Sequence, residues 1–430
     1  MLKKTLLFVL FCAFLFSSFS YFAFADDFTP SDSETSVGAY YLYNYENNMF
    51  MAERATDEII YPSATAKMMT ACIALESGVD LQRMISVTGE MLDGVVGRKM
   101  HLKAGDKLTF EDLLYATVCG GYNDAATVLA LSVSPTLDAF IEKMNEKAAK
   151  LGMSATCYKN VTGIDESGMY TCVEDIIKLS NHMISNPEYV KISSTAYYSF
   201  SKNSSCGTAS VSNRSGMLSL YRGICNLSSG YGTDGYCSVL YYKRGELSFL
   251  CIVMNAYSSD TSNTSDIAEY YAKQLIGHAL NDYSHKTVLK QGALIDSVGV
   301  LYSSLSQNVG VYLGRDLKVY LPSGTDTYTD LSYSTYLYND RLVAPLKSGD
   351  AVGELIVSYD GKVIDTIPLV VAEDIERSGF LYFLDCIKEY VMSRAFLLSC
   401  LIFALSLAGY YLYKKRRLKD IHKSSSHYKK

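Results

Sequence analysis

Histidine is scarce in this chain, 6 among 430 residues, and none stands in the spacing of a metal-binding motif. Neither a metal centre nor any other cofactor is expected. Positive charge is not in surplus: 39 lysines and arginines against 45 acidic residues leave a formal net charge of -6, which gives no footprint for nucleic acid. Cysteine occurs 11 times, but not as a framework. Cys12 and Cys400 lie in apolar terminal runs, and the rest are odd in number and follow no paired or metal-like spacing, so no disulfide set is indicated. Cys72, Cys119, Cys172 and Cys251 sit among apolar neighbours and read as small buried hydrophobes. What remains is the composition of a folded globular protein, 49% hydrophobic and 20% charged.

The long apolar runs are at the two ends. Lys3 and Lys4 precede an apolar stretch at 6–24 and a small-x-small ending at Ala23 and Ala25, so residues 1–25 read as a secretory signal peptide cleaved near Ala25. Residues 395–413 are uncharged and mostly apolar, about the 20 residues that a helix needs to cross a bilayer. Lys414, Lys415, Arg416 and Arg417 follow at once, which makes 414–430 a basic cytoplasmic tail by the positive-inside rule. The expected localisation is the cell membrane, single-pass, with an extracellular ectodomain long enough for two domains.

Within that ectodomain the stretch 61–71, YPSATAKMMTA, has the pattern of a buried helix: Pro62 can open it, because its missing N–H would be unsatisfied anyway, and Lys67 projects from its first turns. Before it, 37–45 and 49–54 read as two strands around a turn at Asn47 and Asn48. After it, 97–116 leads into a helix starting at Thr109, with Asp112 three residues on as a capping-box partner, and His101 in this stretch reads as a surface residue. Residues 140–153 place Phe140, Met144, Ala148 and Leu151 on one helical face. Strands at 238–242 and 247–253 form a hairpin, and 266–280 is a closing helix capped by Ser265.

These stretches, in this order, resemble the D-alanyl-D-alanine carboxypeptidases, the serine DD-peptidases of the low-molecular-mass penicillin-binding protein 5/6 type, over residues 36–285. The resemblance implies an α/β (α+β) β-lactamase/DD-peptidase-like domain, an antiparallel sheet flanked by helices. It also implies three motifs. Where the family has Ser-x-x-Lys, a nucleophile one turn before a lysine that helps remove its proton, this chain has Ala64 and Lys67. Where the family has Ser-x-Asn inside Ser-Gly-Asn-Asp-Ala-Ala, this chain has Gly121 and Asn123, followed by Asp124, Ala125 and Ala126. Where the family has Lys-Thr-Gly on the strand edging the site, its lysine binding the substrate carboxylate, this chain has Ser228, Ser229 and Gly230, with Tyr231, Gly235, Tyr236 and Cys237 holding the register. Thr156, Asn160, Thr162, Gly163, Asp165 and Asp175 match a further family stretch that reads as a structural signature without chemistry.

From about residue 290 the pattern changes to short alternating strands at 296–301, 309–313, 317–321, 341–346, 354–359 and 362–368, with Asp360-Gly361 as a two-residue hairpin turn. Residues 290–373 resemble the small all-β domain that follows the catalytic domain in the same enzymes. Phe380, Phe383, Leu384, Ile387, Tyr390 and Val391 recur at helical spacing, so 377–393 reads as an amphipathic stalk on the membrane before the span.

Two functions are compatible with this pattern. The first is a membrane-tethered pseudoenzyme that keeps a DD-peptidase cleft for a peptidoglycan stem peptide, a muropeptide or an unidentified protein partner. The second is a working D-Ala-D-Ala carboxypeptidase that uses Ser63, four residues before Lys67, in place of Ala64. A one-residue shift turns a side chain by about 100° around a helix, which aims Ser63 away from the family's oxyanion site; the alternative for Ser63 is a cap on the helix start.

Overall fold

The opening hairpin forms where the alternation requires it. β1 (Thr35–Asn44) and β2 (Met49–Arg54) pair antiparallel around a turn in which Asn48 takes φ 50°, a left-handed value that asparagine tolerates better than most residues. The computed structural model describes residues 35–258, 267–304, 308–339 and 341–427, the last ten of these by their backbone. The signal-peptide reading of 1–25 and the Ser265 cap lie outside the described residues.

The chain continues through α1 (Thr65–Glu76), a short pair β3 (Met84–Ser86) and β4 (Lys107–Thr109), and the helices α2 (Phe110–Val118), α3 (Asn123–Val133), α4 (Leu137–Lys150), α5 (Val173–Ile184) and α6 (Pro187–Ser193). A second short pair, β5 (Tyr197–Ser199) and β6 (Ser210–Ser212), and the one-turn α7 (Met217–Leu220) come next. Then β7 (Ile224–Gly232), β8 (Gly235–Arg244) and β9 (Leu247–Ser258) complete the sheet, and α8 (Ile267–Asn281) closes the unit. The sheet order is β2-β1-β9-β8-β7, antiparallel throughout, with β7 on the edge.

Both faces of the sheet are covered, which is why its central strand reads as a continuous apolar run rather than an alternation. Leu250, Ile252 and Met254 of β9 join the helical core with Val239 and Tyr241 of β8. The intervening Phe249, Cys251 and Val253 are equally buried and by strand alternation face the other side, where α8 packs through Tyr271, Leu275 and Ile276. On the helical side α1 is enclosed by its neighbours: between Thr65 and Ala74 every residue but Lys67 is buried. Phe110, Leu113 and Leu114 of α2, and Phe140 and Met144 of α4, are fully enclosed around it, each such side chain contributing about 1.5–3 kcal/mol. The start of α2 is a complete capping box, Thr109 Oγ1 accepting from Asp112 N at 3.0 Å while Asp112 Oδ2 accepts from Thr109 N at 3.1 Å. On α4, Phe140, Met144 and Ala148 are buried and Leu151 is half-buried at its C-cap.

Two compact units divide the chain. The strands β10 (Tyr283–Leu289) and β13 (Leu317–Pro322) pair with each other and fall mostly in the first unit, whereas the second is built on a sheet of β11 (Leu294–Leu301), β12 (Asn308–Leu313), β14 (Leu331–Leu337), β15 (Leu342–Val343), β16 (Ala351–Tyr359) and β17 (Lys362–Val371), ordered β14-β16-β17-β12-β11-β15. Its core is Val311, Leu313, Val357, Ile367, Leu369 and Val371. Asp360 and Gly361 take φ 49° and 73°, the left-handed pair of a type I′ turn. β10 and β14 carry too many polar residues to be read as strands from pattern alone. After them α9 (Gly379–Met392), capped by the Ser378 side chain, leads to α10 (Arg394–His427). Within α10 the segment Arg394–Arg417 holds an 18-residue stretch with a mean hydropathy of 2.0, none of it buried, and it is the one straight helix among the described residues long and apolar enough to cross a membrane.

Candidate active site

The start of α1, the start of α3, the loop at 160–165 and the edge strand β7 meet around a cleft of about 330 Å³. Its walls include Ala64, Lys67, Asn123, Gly121, Ser229 and Gly230, so most of the residues singled out from the motifs do converge. Ala64 is the N-cap residue of α1, and its methyl faces β7 at close range: a Cβ on Gly230 would lie 2.6 Å from that of Ala64. Glycine at 230 is therefore what lets the edge strand approach the helix start. Ser228, two residues earlier on the same strand, is buried and is not part of the wall.

Ser63 is placed differently from both roles considered for it. The helix begins at Thr65, and no side chain caps it. Ser63 itself has φ 46° and is 2% exposed, so it is not a helical residue four positions from Lys67, and its Oγ lies beside Gly232 and the Asp165 carboxylate. Gly163 packs tightly on the carbonyl of this turn: a Cβ there would sit 1.7 Å from Ser63 O, so a glycine is what lets the loop at 160–165 close over the helix start.

Lys67 Nζ donates to Thr162 O at 2.6 Å. Burial, then the nearby Arg214 and Arg98 guanidinium groups, push its basicity down from the ordinary value of 10.5 to about 7. Asn123 is 4% exposed; its Nδ2 donates to Val96 O at 2.8 Å, and its Oδ1 is buried without a partner. Asp124, next in α3, ties down the preceding segment by accepting from Met100 N and Leu102 N, both at 3.0 Å.

Two arginines that no motif indicated complete the walls. Arg98 Nε donates to Gly120 O at 2.8 Å and its guanidinium lies 5.0 Å from the centre of the Tyr122 ring. Arg214, in the loop between β6 and α7, reaches across the position of the second motif: a Cβ on Gly121 would lie 3.0 Å from Arg214 Cδ. Gly121 also has φ 65°, a conformation that favours glycine. The loop 160–165, read from the sequence as structural only, supplies wall residues Thr162, Gly163, Ile164 and Asp165 as well as the carbonyl that holds Lys67. Asp165 Oδ2 accepts from Thr233 N, and its Oδ1 is buried without a partner. Asp165 is the one carboxylate among the described wall residues, against Lys67, Arg98 and Arg214.

Residues 26–258 match the family model described as D-alanyl-D-alanine carboxypeptidase, and residues 283–377 match the one described as penicillin-binding protein 5, C-terminal domain. The chain belongs to the D-alanyl-D-alanine carboxypeptidase family. Among curated relatives it is 23% identical over 387 residues to the D-alanyl-D-alanine carboxypeptidase DacF of Bacillus subtilis, covering 89% of this chain and 97% of that one. It is 28% identical over 382 residues to DacC of Escherichia coli, covering 86% and 91%. Penicillin-binding protein 5 from Haemophilus influenzae has the same fold, with a TM-score of 0.58 at 22% identity over 81% of this chain and all of that one. This is the serine DD-carboxypeptidase family of peptidoglycan metabolism, so the expected β-lactamase-like domain with a following all-β domain is the architecture present. Against the family motifs the chain has no hydroxyl at 64, none at 121 and no ammonium at 228. The trace that Arg214 leaves in the sequence is Gly121, whose missing side chain is the volume that the arginine stem fills.

Proposed function

We propose that this protein is a membrane-anchored, non-catalytic member of the family that binds a peptidoglycan stem peptide or muropeptide without turning it over. The observation that carries this reading is the alanine at the start of α1, its methyl packed against Gly230 where an acylable oxygen would have to stand. Loss of the nucleophile from a hydroxyl-based machinery costs on the order of a millionfold in turnover. Ser63 does not stand in the same place: its backbone turns at φ 46° before the helix begins, and its Oγ lies beside Gly232 and the Asp165 carboxylate rather than at the position of the Ala64 methyl. Binding groups remain: Lys67, the free Oδ1 of Asn123 and the backbone of β7 surround a cavity of about 330 Å³, the size that suits the end of a peptide. The apolar C-terminal helix serves as the anchor, with the folded units outside the cell.

Incubating the full chain in detergent with a fluorescent penicillin tests the reading. No covalent adduct by intact mass and no D-alanine release from a pentapeptide are expected. An adduct would overturn it, and its loss in Ser63→Ala would then assign the chemistry to Ser63, whereas its persistence would direct attention to Thr65.

A further inference from the structure

Three side chains of different metal-ligating chemistry meet at the end of α1 that is remote from the cleft. Cys72 and Glu76 stand four residues apart on one face of that helix, and His182 reaches them from the last turn of α5. Cys72 Sγ, Glu76 Oε1 and His182 Nε2 all lie within 4.8 Å of one another, with the sulfur 3.8 Å and the imidazole nitrogen 2.6 Å from the carboxylate oxygen. We propose that this cluster is a site for a borderline divalent ion of the Zn²⁺ class, which enters in place of the Lys147 ammonium and leaves one coordination position open to water.

The spacing fits such an ion closely. A tetrahedral Zn²⁺ with its sulfur at about 2.3 Å and its nitrogen and oxygen at about 2.0–2.1 Å holds its ligand atoms roughly 3.3–3.6 Å apart. The sulfur already stands within a few tenths of an ångström of that distance from Oε1, and the Nε2–Oε1 pair has to open by about 0.7 Å, a small torsion in two partly exposed side chains. Thiolate, imidazole and carboxylate together select Zn²⁺ over Mg²⁺ or Ca²⁺, which take oxygen ligands. The surroundings favour a cation for a separate reason. α1 packs on both α4 and α5, and Glu76, Lys147 and His182 belong to the C-terminal turns of these three helices, so the negative ends of three helix dipoles converge here. Glu76, the last residue of α1, adds its own negative charge, and Lys147 answers it with Nζ 2.5 Å from Oε1. That ammonium sits on a flexible stem that can withdraw when a doubly charged ion arrives. Burial, then the Glu76 charge, raises the Cys72 thiol to about 12, so no thiolate precedes the ion; binding releases the thiol proton to solvent, and His182 coordinates through Nε2 with its ring hydrogen on Nδ1. No spacing in the sequence signals the cluster, because His182 stands 106 residues from Glu76.

The test titrates the full chain in detergent, reduced and freed of metal by a chelator, with zinc chloride by calorimetry and with cobalt chloride by absorption. One zinc ion per chain should bind, and cobalt should give the charge-transfer absorption of a thiolate ligand. Cys72→Ala should abolish that absorption. Cys72→Ala and His182→Gln should each weaken zinc binding by more than about a hundredfold, beyond what loss of an outer-shell partner costs. Lys147→Met, which removes the resident cation, should tighten it by about tenfold, the size of a charge-assisted contact. Absence of both zinc uptake and the thiolate absorption in the unmodified chain at submillimolar metal, a result that needs no variant to fold, overturns the inference and leaves Lys147, Glu76 and His182 as an ion-pair network alone. An absorption that persists in Cys72→Ala places the metal on another thiol and overturns it as well. A zinc affinity that Lys147→Met leaves unchanged overturns the exchange of ion for ammonium.

Discussion

Lys67 offers a prediction whose size follows from the geometry. Its ammonium lies part-buried in the cleft wall and donates to the Thr162 carbonyl, and burial with the charge of Arg214 and Arg98 lowers its basicity to about 7, against 10.5 in an exposed chain. Between these two values the unfolded chain holds the proton and the folded one has released it. The unfolded state then binds more protons, so stability rises with pH across the window, with a limiting slope of about 1.4 kcal/mol per pH unit. From pH 7 to pH 9 the integrated gain is about 2 kcal/mol, because the folded lysine is still half protonated at the lower end. For a unit of this size that corresponds to a melting shift of about 4–8 °C. Lys67→Met keeps the stem and removes the titration. The melting temperature of the unmodified chain, measured by circular dichroism in detergent and taken relative to Lys67→Met at each pH, should climb by that amount between pH 7 and pH 9. A difference that stays flat would mean that Lys67 keeps ordinary basicity, and that the two arginines do not press on it as their positions imply.

Two other outcomes follow from the same contacts. Gly163→Ala should destabilise the first unit by about 3 kcal/mol or more, since a Cβ would lie 1.7 Å from the Ser63 carbonyl at φ 78°, where neither backbone can yield cheaply; a melting temperature within two or three degrees of the unmodified chain would refute the close packing of Gly163 on the Ser63 carbonyl. Protease added to cells stripped of their wall should remove both folded units and spare a small C-terminal fragment, as detected through a C-terminal tag, and protection of the whole chain would contradict the proposed topology.

Much of the architecture was legible in the residues because it depends on local pattern. The capping box at Thr109 and Asp112, the hairpin turns at Asn48 and at Asp360-Gly361, the face of α4 and the edge position of β7 each rest on interactions within a few residues or on a motif with fixed register. The three altered motif positions were equally visible, since an alanine for a serine is read directly from the chain. The tertiary structure alone decided how the cleft is furnished. Ser63 looked like a helical neighbour of Lys67, but in the fold its backbone turns at φ 46° with Gly163, far away in sequence, packed on its carbonyl. Arg98 and Arg214 belong to loops without periodicity; Arg98 is held by the Gly120 carbonyl, and Arg214 passes beside Gly121, where a Cβ would stand 3.0 Å from its Cδ. The depressed basicity of Lys67 has the same origin, because desolvation and the proximity of like charges are properties of the packed state and have no counterpart in the order of residues.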